Sequence, residues 1–313
     1  MAGQQQTAPD DGGSADGRND RPDPATEAFL AHRNLLFTVA YEMLGSAADA
    51  EDVLQETWLR WAGVDLAAVR DFRPYLVQIT TRQALARLRS LGRRRESYVG
   101  SWLPEPLLTA PDVAEDVELA ESVSMAMLLV LETLTPTERA VFVLREVFGL
   151  EYDEIADAVG KNPAAIRQIA HRARGHVAAR RPRGVVSPAQ TRLALQAFQR
   201  AIETGDLQSL LDQLAPDVVL LGDGGGVKQA VLRPIIGADR VARLLTAGLP
   251  RHSGNASVEP AQINGGPALI IRLGGEIDTV VAMRIDDGLI SGLYVVRNPQ
   301  KLSHIERETA VSR

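Results

Sequence analysis

LEYDEIADAVGKNPAAIRQIAHRARGHV, residues 150–177, reads as two short helices joined by a tight turn. In the first helix Ile155, Ala156 and Val159 share a face and are expected to be buried. Gly160 supplies the backbone freedom of the turn, Asn162 can cap the second helix, and Pro163 suits its first position. In the second helix Ile166, Ile169, Ala173 and Val177 recur at helical spacing and predict a buried stripe. Turned away from it are Ala164, Arg167, Gln168, His171 and Arg174, with Arg172 on the flank and Lys161 in the turn. Such a face can set polar side chains on base edges and arginines on phosphates, so the stretch is read as a DNA-contacting helix–turn–helix. A solvated helix in an ordinary bundle is the alternative. Against it, residues 161–200 contain no acid.

Working outward, 313 residues imply two or three domains. The net charge of −6 excludes a protein that coats nucleic acid non-specifically, so any contact must come from local basic patches in an acidic body. There are no cysteines, which excludes disulfides and thiolate metal sites. The five histidines show no paired ligand spacing, so neither a metal nor a cofactor is expected. Nothing resembles a membrane span or a signal segment, so a cytoplasmic protein without a membrane partner is expected.

Residues 1–24, rich in Gly, Asp, Gln and Pro, read as a disordered tail. Residues 25–98 read as helical. Helix one, near 27–44, is expected to bury Leu30, Phe37 and Ala40. Helix two, capped by Ser46, carries Ala50, Val53, Leu54, Trp58, Trp61 and Ala62 on its apolar stripe, and helix three runs from after Arg73 toward Leu91. Residues 99–116 form a linker containing SWLPEPL. Residues 117–183 are helical again: Thr135-Pro136-Thr137-Glu138 is a capping box, and its helix buries Val141, Leu144 and Phe148 before stopping at Gly149. In residues 184–313, helices over 189–204 and up to 214 precede β-type runs at 218–221, 268–273, 279–285 and 289–296, with glycine-marked turns between them. The predicted architecture is two all-α domains, the second with the helix–turn–helix, followed by an α+β domain with an antiparallel sheet.

Two further features carry function. Opposite the tryptophan stripe of helix two lie Asp52, Gln55, Glu56 and Leu59, an acidic, hydrogen-bonding face with one exposed leucine. By itself this would be a solvated surface. Downstream, Arg82, Arg87, Arg89, Arg93, Arg94 and Arg95 project from helix three with no acid among them, a salt-sensitive phosphate contact. Two basic regions in two helical domains imply a spaced, two-part DNA site.

DAEDVLQETWLRW (49–61) resembles the polymerase-binding helix of bacterial sigma factors of the extracytoplasmic-function (ECF) type, and LTPTERAVFVLREVFGLEYDEIADAVG (134–160) resembles their fourth domain. The resemblance covers about residues 25–181. It implies that Asp52, Gln55 and Glu56, beside Leu59, dock on core RNA polymerase. It implies also that the Arg82–Arg95 helix end engages the −10 element. Arg167, Gln168, His171 and Arg172, flanked by Lys161, Ala164 and Arg174, would read the −35 element of double-stranded promoter DNA.

Trp102-Leu103-Pro104-Glu105-Pro106 resembles the WLPEP signature of the ECF subgroup with a fused SnoaL-like domain, a cone with a pocket. Asp223-Gly224-Gly225-Gly226 is similar to that domain's DGGGK turn, with Val227 intervening before Lys228. Asn298-Pro299-Gln300-Lys301-Leu302 is similar to its NPDKL segment, with Gln300 for the acid. The resemblance implies regulation in cis by these residues, without an obligatory anti-sigma protein, and leaves open a small ligand of the cone. Spacing pairs none of Asp223, His252, Asp278 and Tyr294 as an acid–base couple, so a regulatory domain is expected rather than an enzyme. The alternative is a helix–turn–helix activator with a small-molecule-sensing or catalytic C-terminal domain, which has no use for the acidic face of helix two.

Overall fold

The computed structural model describes residues 23–110, 113, 116–180, 187–248 and 255–313; the side chains of residues 93–96, 188 and 248 are outside this description, as is nearly all of the expected tail. The first unit is α1 (Pro24–Leu44), α2 (Ala47–Trp61) and α3 (Phe72–Glu96). Ser46 accepts from the Asp49 N–H and so starts α2. Trp61 is fully buried and donates through Nε1 to the Ala25 carbonyl at 2.7 Å, while Phe29 meets Trp58 edge to face. Two expected core positions are corrected. Leu30 is 57% exposed because its neighbour Phe29 takes the inward place, and Ala62, past the end of α2, is exposed.

The second unit is α4 (Val117–Val123), α5 (Met125–Leu131), α6 (Pro136–Phe142), a π turn at Val143–Val147, α7 (Tyr152–Val159) and α8 (Pro163–Ala178). Ser124 separates α4 from α5 by capping α5 through the Met127 N–H. The capping box of Thr135 and Glu138 forms as its sequence requires. In α7 Ala158 is buried and Val159 only half-buried.

These two units do not sit apart. One hydrophobic core runs through both, from Leu36, Val77 and Leu85 to Leu144, Ile155 and Ile166. The helix α7 packs on α3, where Arg82 donates to the Asp157 carbonyl at 2.7 Å. Buried Arg139 on α6 donates to the Met43 carbonyl at 2.8 Å and pairs with Glu132.

The third unit is α9 (Pro188–Thr204), α10 (Leu207–Gln213), β1 (Leu214–Asp223), β2 (Ile235–Ile236), α11 (Ala238–Gly248), β3 (Ala256–Ile263), β4 (Gly266–Leu273), β5 (Glu276–Asp286), β6 (Leu289–Val296) and α12 (Pro299–Leu302). The sheet order is β2-β1-β6-β5-β4-β3. Among the described residues the antiparallel expectation holds for four of the five pairings and is corrected for one: β1 runs parallel to β6, because the chain leaves β1 and returns to its side only after the meander β3–β6.

Alternation along the strands gives the sheet two apolar faces. Leu269, Val281 and Leu293 pack under Phe198, Leu210 and Val241 of the helices. Ile270, Val280, Ala282 and Tyr294 face the other way and meet Leu103 of the linker and Met125 and Ala126 of α5. The sheet is therefore wedged between its own helices and the rest of the chain. Residues 309–313 then run back across the first unit: Thr309 N–H bonds to the Leu108 carbonyl at 2.8 Å, Ser312 N–H to Thr38 at 3.0 Å, and Val311 enters the helical core.

Candidate nucleic-acid interface

The turn between α7 and α8 is built as the sequence predicts. Gly160 adopts φ +72°, and Asn162 accepts from the Ala165 N–H at 2.8 Å. Ile166, Ile169, Ala173 and Val177 are buried, and Lys161, Ala164, Arg167, Gln168, His171, Arg172 and Arg174 are all exposed. Arg167 lies over the Tyr152 ring, 5.7 Å from its centre, which presets the guanidinium near the helix start. Arg172 and Arg174 stand on opposite flanks, leaning on Glu138 (3.7 Å) and Glu146 (3.6 Å). The exposed strip is thus Ala164, Arg167, Gln168 and His171, with a cation on either side.

On α2, Asp52, Gln55, Glu56 and Leu59 form one exposed strip, Leu59 being 74% exposed. The six arginines do not act as one patch. Arg87 donates to Asp49 (2.7 Å) and Asp52 (2.8 Å) and so belongs to the acidic strip. The hydrogen bond to Asp49 holds its guanidinium more firmly protonated than usual. Arg82 is held by the Asp157 carbonyl, and Arg89 is exposed. The side chains of Arg93, Arg94 and Arg95, at the end of α3, lie outside the described residues, as does His252.

The linker is buried from Leu103 to Leu107, including Pro104, Glu105 and Pro106. Asp223, at the end of β1 and fully buried, collects four donors: Tyr98 hydroxyl (2.6 Å), Leu103 N–H (2.9 Å), Gly225 N–H (3.0 Å) and Lys301 Nζ (2.7 Å). A Cβ at Gly225 would lie 2.4 Å from the Asn298 amide, so the turn admits no side chain there. Asn298 donates to the Tyr98 hydroxyl at 2.9 Å and caps α12. Lys301 also donates to the Leu103 carbonyl and stands 4.2 Å from the centre of the Trp102 ring. Trp102 in turn sits on Gly45, where a Cβ would be 2.7 Å from its ring. Pro299 opens α12 and Leu302 is buried beside Leu103. Lys228 turns elsewhere, pairing with Asp278 at 2.5 Å, which Arg297 also meets at 3.0 Å. Burial alone would raise the Asp278 carboxyl, but hydrogen bonds from Lys228 and Thr279 and the Arg297 charge hold it below the usual range. Asp223, Asn298 and Lys301 of the two C-terminal signatures thus serve the linker segment, while Lys228 serves a charge pair.

Glu105 reaches the N-terminus of α2, accepting from Ala47 N–H at 2.9 Å and Ser46 at 3.2 Å. Burial still raises its carboxyl above the usual range. Two residues that carry this junction escape a reading of the sequence. Asn264, in the β3–β4 turn, is fully buried at φ +56°; its amide donates to the Tyr41 hydroxyl (2.7 Å) and the Val123 carbonyl (2.9 Å) and accepts from Leu107 N–H (3.0 Å). The Tyr41 hydroxyl donates onward to the Glu105 carbonyl at 2.6 Å. The signal was available in Asn264-Gly265-Gly266, since a left-handed residue before glycine favours asparagine.

Family models place Sigma-70 region 2 on residues 28–94 and Sigma-70 region 4 on residues 124–177. The chain is 34% identical over 289 residues to the ECF RNA polymerase sigma factor SigJ of Mycobacterium tuberculosis, covering 88% of this chain and 92% of that one. The chain belongs to the ECF RNA polymerase sigma factors. It is also 35% identical over 290 residues to the probable ECF sigma factor SigI of the same organism, covering 91% and 97% of the two chains. The crystal structure of M. tuberculosis SigJ matches this sigma factor with a TM-score of 0.72 and 31% identity, across 90% of this chain and 99% of that one. The C-terminal α+β domain lies beyond both sigma regions, and the match to SigJ includes it. Sigma factors bind core polymerase and promoter DNA. Among the described residues no helix is long and apolar enough to cross a membrane.

Proposed function

We propose that this sigma factor is restrained by its own C-terminal domain. The strip Asp52, Gln55, Glu56 and Leu59 meets core polymerase, the end of α3 from Arg82 to Arg95 meets the −10 element, and Arg167, Gln168, His171 and Arg172, flanked by Lys161, Ala164 and Arg174, read the −35 element. Residues 25–98 and 117–183 do this work, 99–116 join them, and 184–313 regulate them. The two promoter elements lie on the order of 80 Å apart along B-DNA at ~3.4 Å per base pair. The packing of α7 on α3, with Arg82 spent on Asp157, is too close for that spacing. That single observation carries the reading: the free protein is closed and must open to bind a promoter.

The clasp on the linker, through Asp223, Lys301, Asn298 and Asn264, supports control in cis by Trp102–Pro106 and the two C-terminal signatures, without an obligatory anti-sigma protein. The layer between sheet and helices, where a small ligand of the cone would sit, is occupied by Phe198, Leu210 and Leu293. The domain acts as a regulator rather than as an enzyme or a cofactor carrier, in the cytoplasm. Run-off transcription with core polymerase tests the polymerase-binding part. Charge reversal at Asp52 and Glu56 abolishes both core binding and transcripts; unchanged core binding would instead favour a conventional activator.

A further inference from the structure

Behind the recognition helix lies a cavity of about 430 Å³, within the ~300–1,000 Å³ of small-molecule sites. Its wall joins α1 of the first helical unit to α4, the π turn and α8 of the second, with Arg313 at the rim. The floor includes Glu42, which is fully buried. Its Oε1 accepts from the Ser122 hydroxyl at 2.8 Å, and its Oε2 has no hydrogen-bond partner among the described residues. A buried carboxylate oxygen left without a partner is costly and points to a missing cationic group.

We infer that this cavity binds a linear aliphatic diamine or polyamine, one ammonium on Glu42 and another toward the acids of α4 and the π turn. Glu118 and Glu121 line the α4 side and Glu146 the π turn. Between the acids the wall is apolar, with Met127, Phe142 and Val177 offering a surface for methylene groups. Among the described residues no three carboxylates or histidines stand close enough to share a metal ion. A spread of acids around an apolar channel suits an extended organic cation and not a bare divalent one, which needs about six converging oxygens.

The cations already facing the cavity are both committed, to Glu146 and Glu118, so the second ammonium has to share or displace these arginines. Arg174 lies 3.6 Å from Glu146, and Arg313 pairs with Asp116 at 3.2 Å and with Glu118. Among the described residues the polar partner of Glu42 is Ser122, and neither arginine takes that place. Burial pushes the Glu42 carboxyl up to about 8, against the pull of the Ser122 hydrogen bond. A ligand cation must therefore displace its proton, and binding should tighten as pH rises.

Calorimetry of the full chain with spermidine and with 1,4-diaminobutane, at constant ionic strength, tests this. Saturable binding is expected, tightening about tenfold or more from pH 6.5 to 8.5. Paired buffers of different ionisation heat should show release of about one proton below pH 8. Glu42→Gln, which keeps the side chain's shape, should weaken binding about tenfold or more and abolish the proton release. Absence of saturable heat, equal binding by Glu42→Gln, or equal competition by magnesium would overturn the assignment. Should the variant fail to fold, the wild-type proton release decides: binding without it overturns the assignment.

Discussion

Leu103 N–H donates to Oδ2 of Asp223 at 2.9 Å, tying the linker between the two sigma regions to the end of a strand 120 residues further on. The same carboxylate neutralises Lys301, which also holds the Leu103 carbonyl. Replacing Asp223 by Ala strands a part-buried lysine and three further donors, and should cost about 3–5 kcal/mol. Asp223→Asn keeps the shape and should cost roughly 1–3 kcal/mol. Denaturant unfolding gives both values, and amide exchange in 98–107 should accelerate in the same order.

Asn264 makes the second clasp, and its two duties can be separated. Asn264→Ala loses the side-chain bonds to Tyr41, Val123 and Leu107 and strains a backbone at φ +56°, for roughly 2–4 kcal/mol in all. Asn264→Gly loses the same bonds without the strain and should be about 1 kcal/mol milder. Equal losses in thermal or denaturant unfolding would mean that the backbone conformation contributes nothing.

Arg167 sits at the start of the exposed strip proposed to read bases, positioned over Tyr152. Arg167→Ala should weaken binding to a promoter with an intact −35 element by about 1–3 kcal/mol and relax discrimination at one position. Equal loss on scrambled and intact elements, measured by fluorescence anisotropy, would reduce Arg167 to a phosphate contact.

Glu42 predicts a pH dependence of stability. Its folded pKa, about 8, lies above the ordinary carboxylate value, so the native state holds a proton that the unfolded chain has lost. Its contribution is fully present below about pH 4.5 and falls as pH rises towards 8, by up to ~1.4 kcal/mol per pH unit. Glu42→Gln should flatten that slope between pH 5 and 8. An unchanged slope in urea titrations would place the proton elsewhere.

Local chemistry made much of this legible in the sequence. The α7–α8 turn, the capping box at Thr135 and the β6 strand follow from residues within a few positions of one another. What escaped depends on partners far along the chain. The edge strand β3 carries Pro260 and alternating polar residues, which a sheet tolerates only at its border, so it lacks the apolar signature of its neighbours. The helix α11 escaped as well, since its apolar residues Val241, Leu244 and Leu245 repeat over only a short span. The acidic strip was legible, but the capture of Arg87 by Asp49 and Asp52 was not, since it needs the angle between α2 and α3. Nor could spacing place Tyr41 against Asn264, which are 223 residues apart.

The central claim, a closed free state that opens on the promoter, has a direct test. The chain has no cysteine, so donor and acceptor dyes can be placed at Arg70→Cys and Asp153→Cys, two exposed sites on the two helical units. Energy transfer should be high in the free protein and collapse when core polymerase and promoter DNA are added together, as the units part towards a separation of roughly 80 Å. Transfer that stays high in a complex competent for transcription would contradict the account.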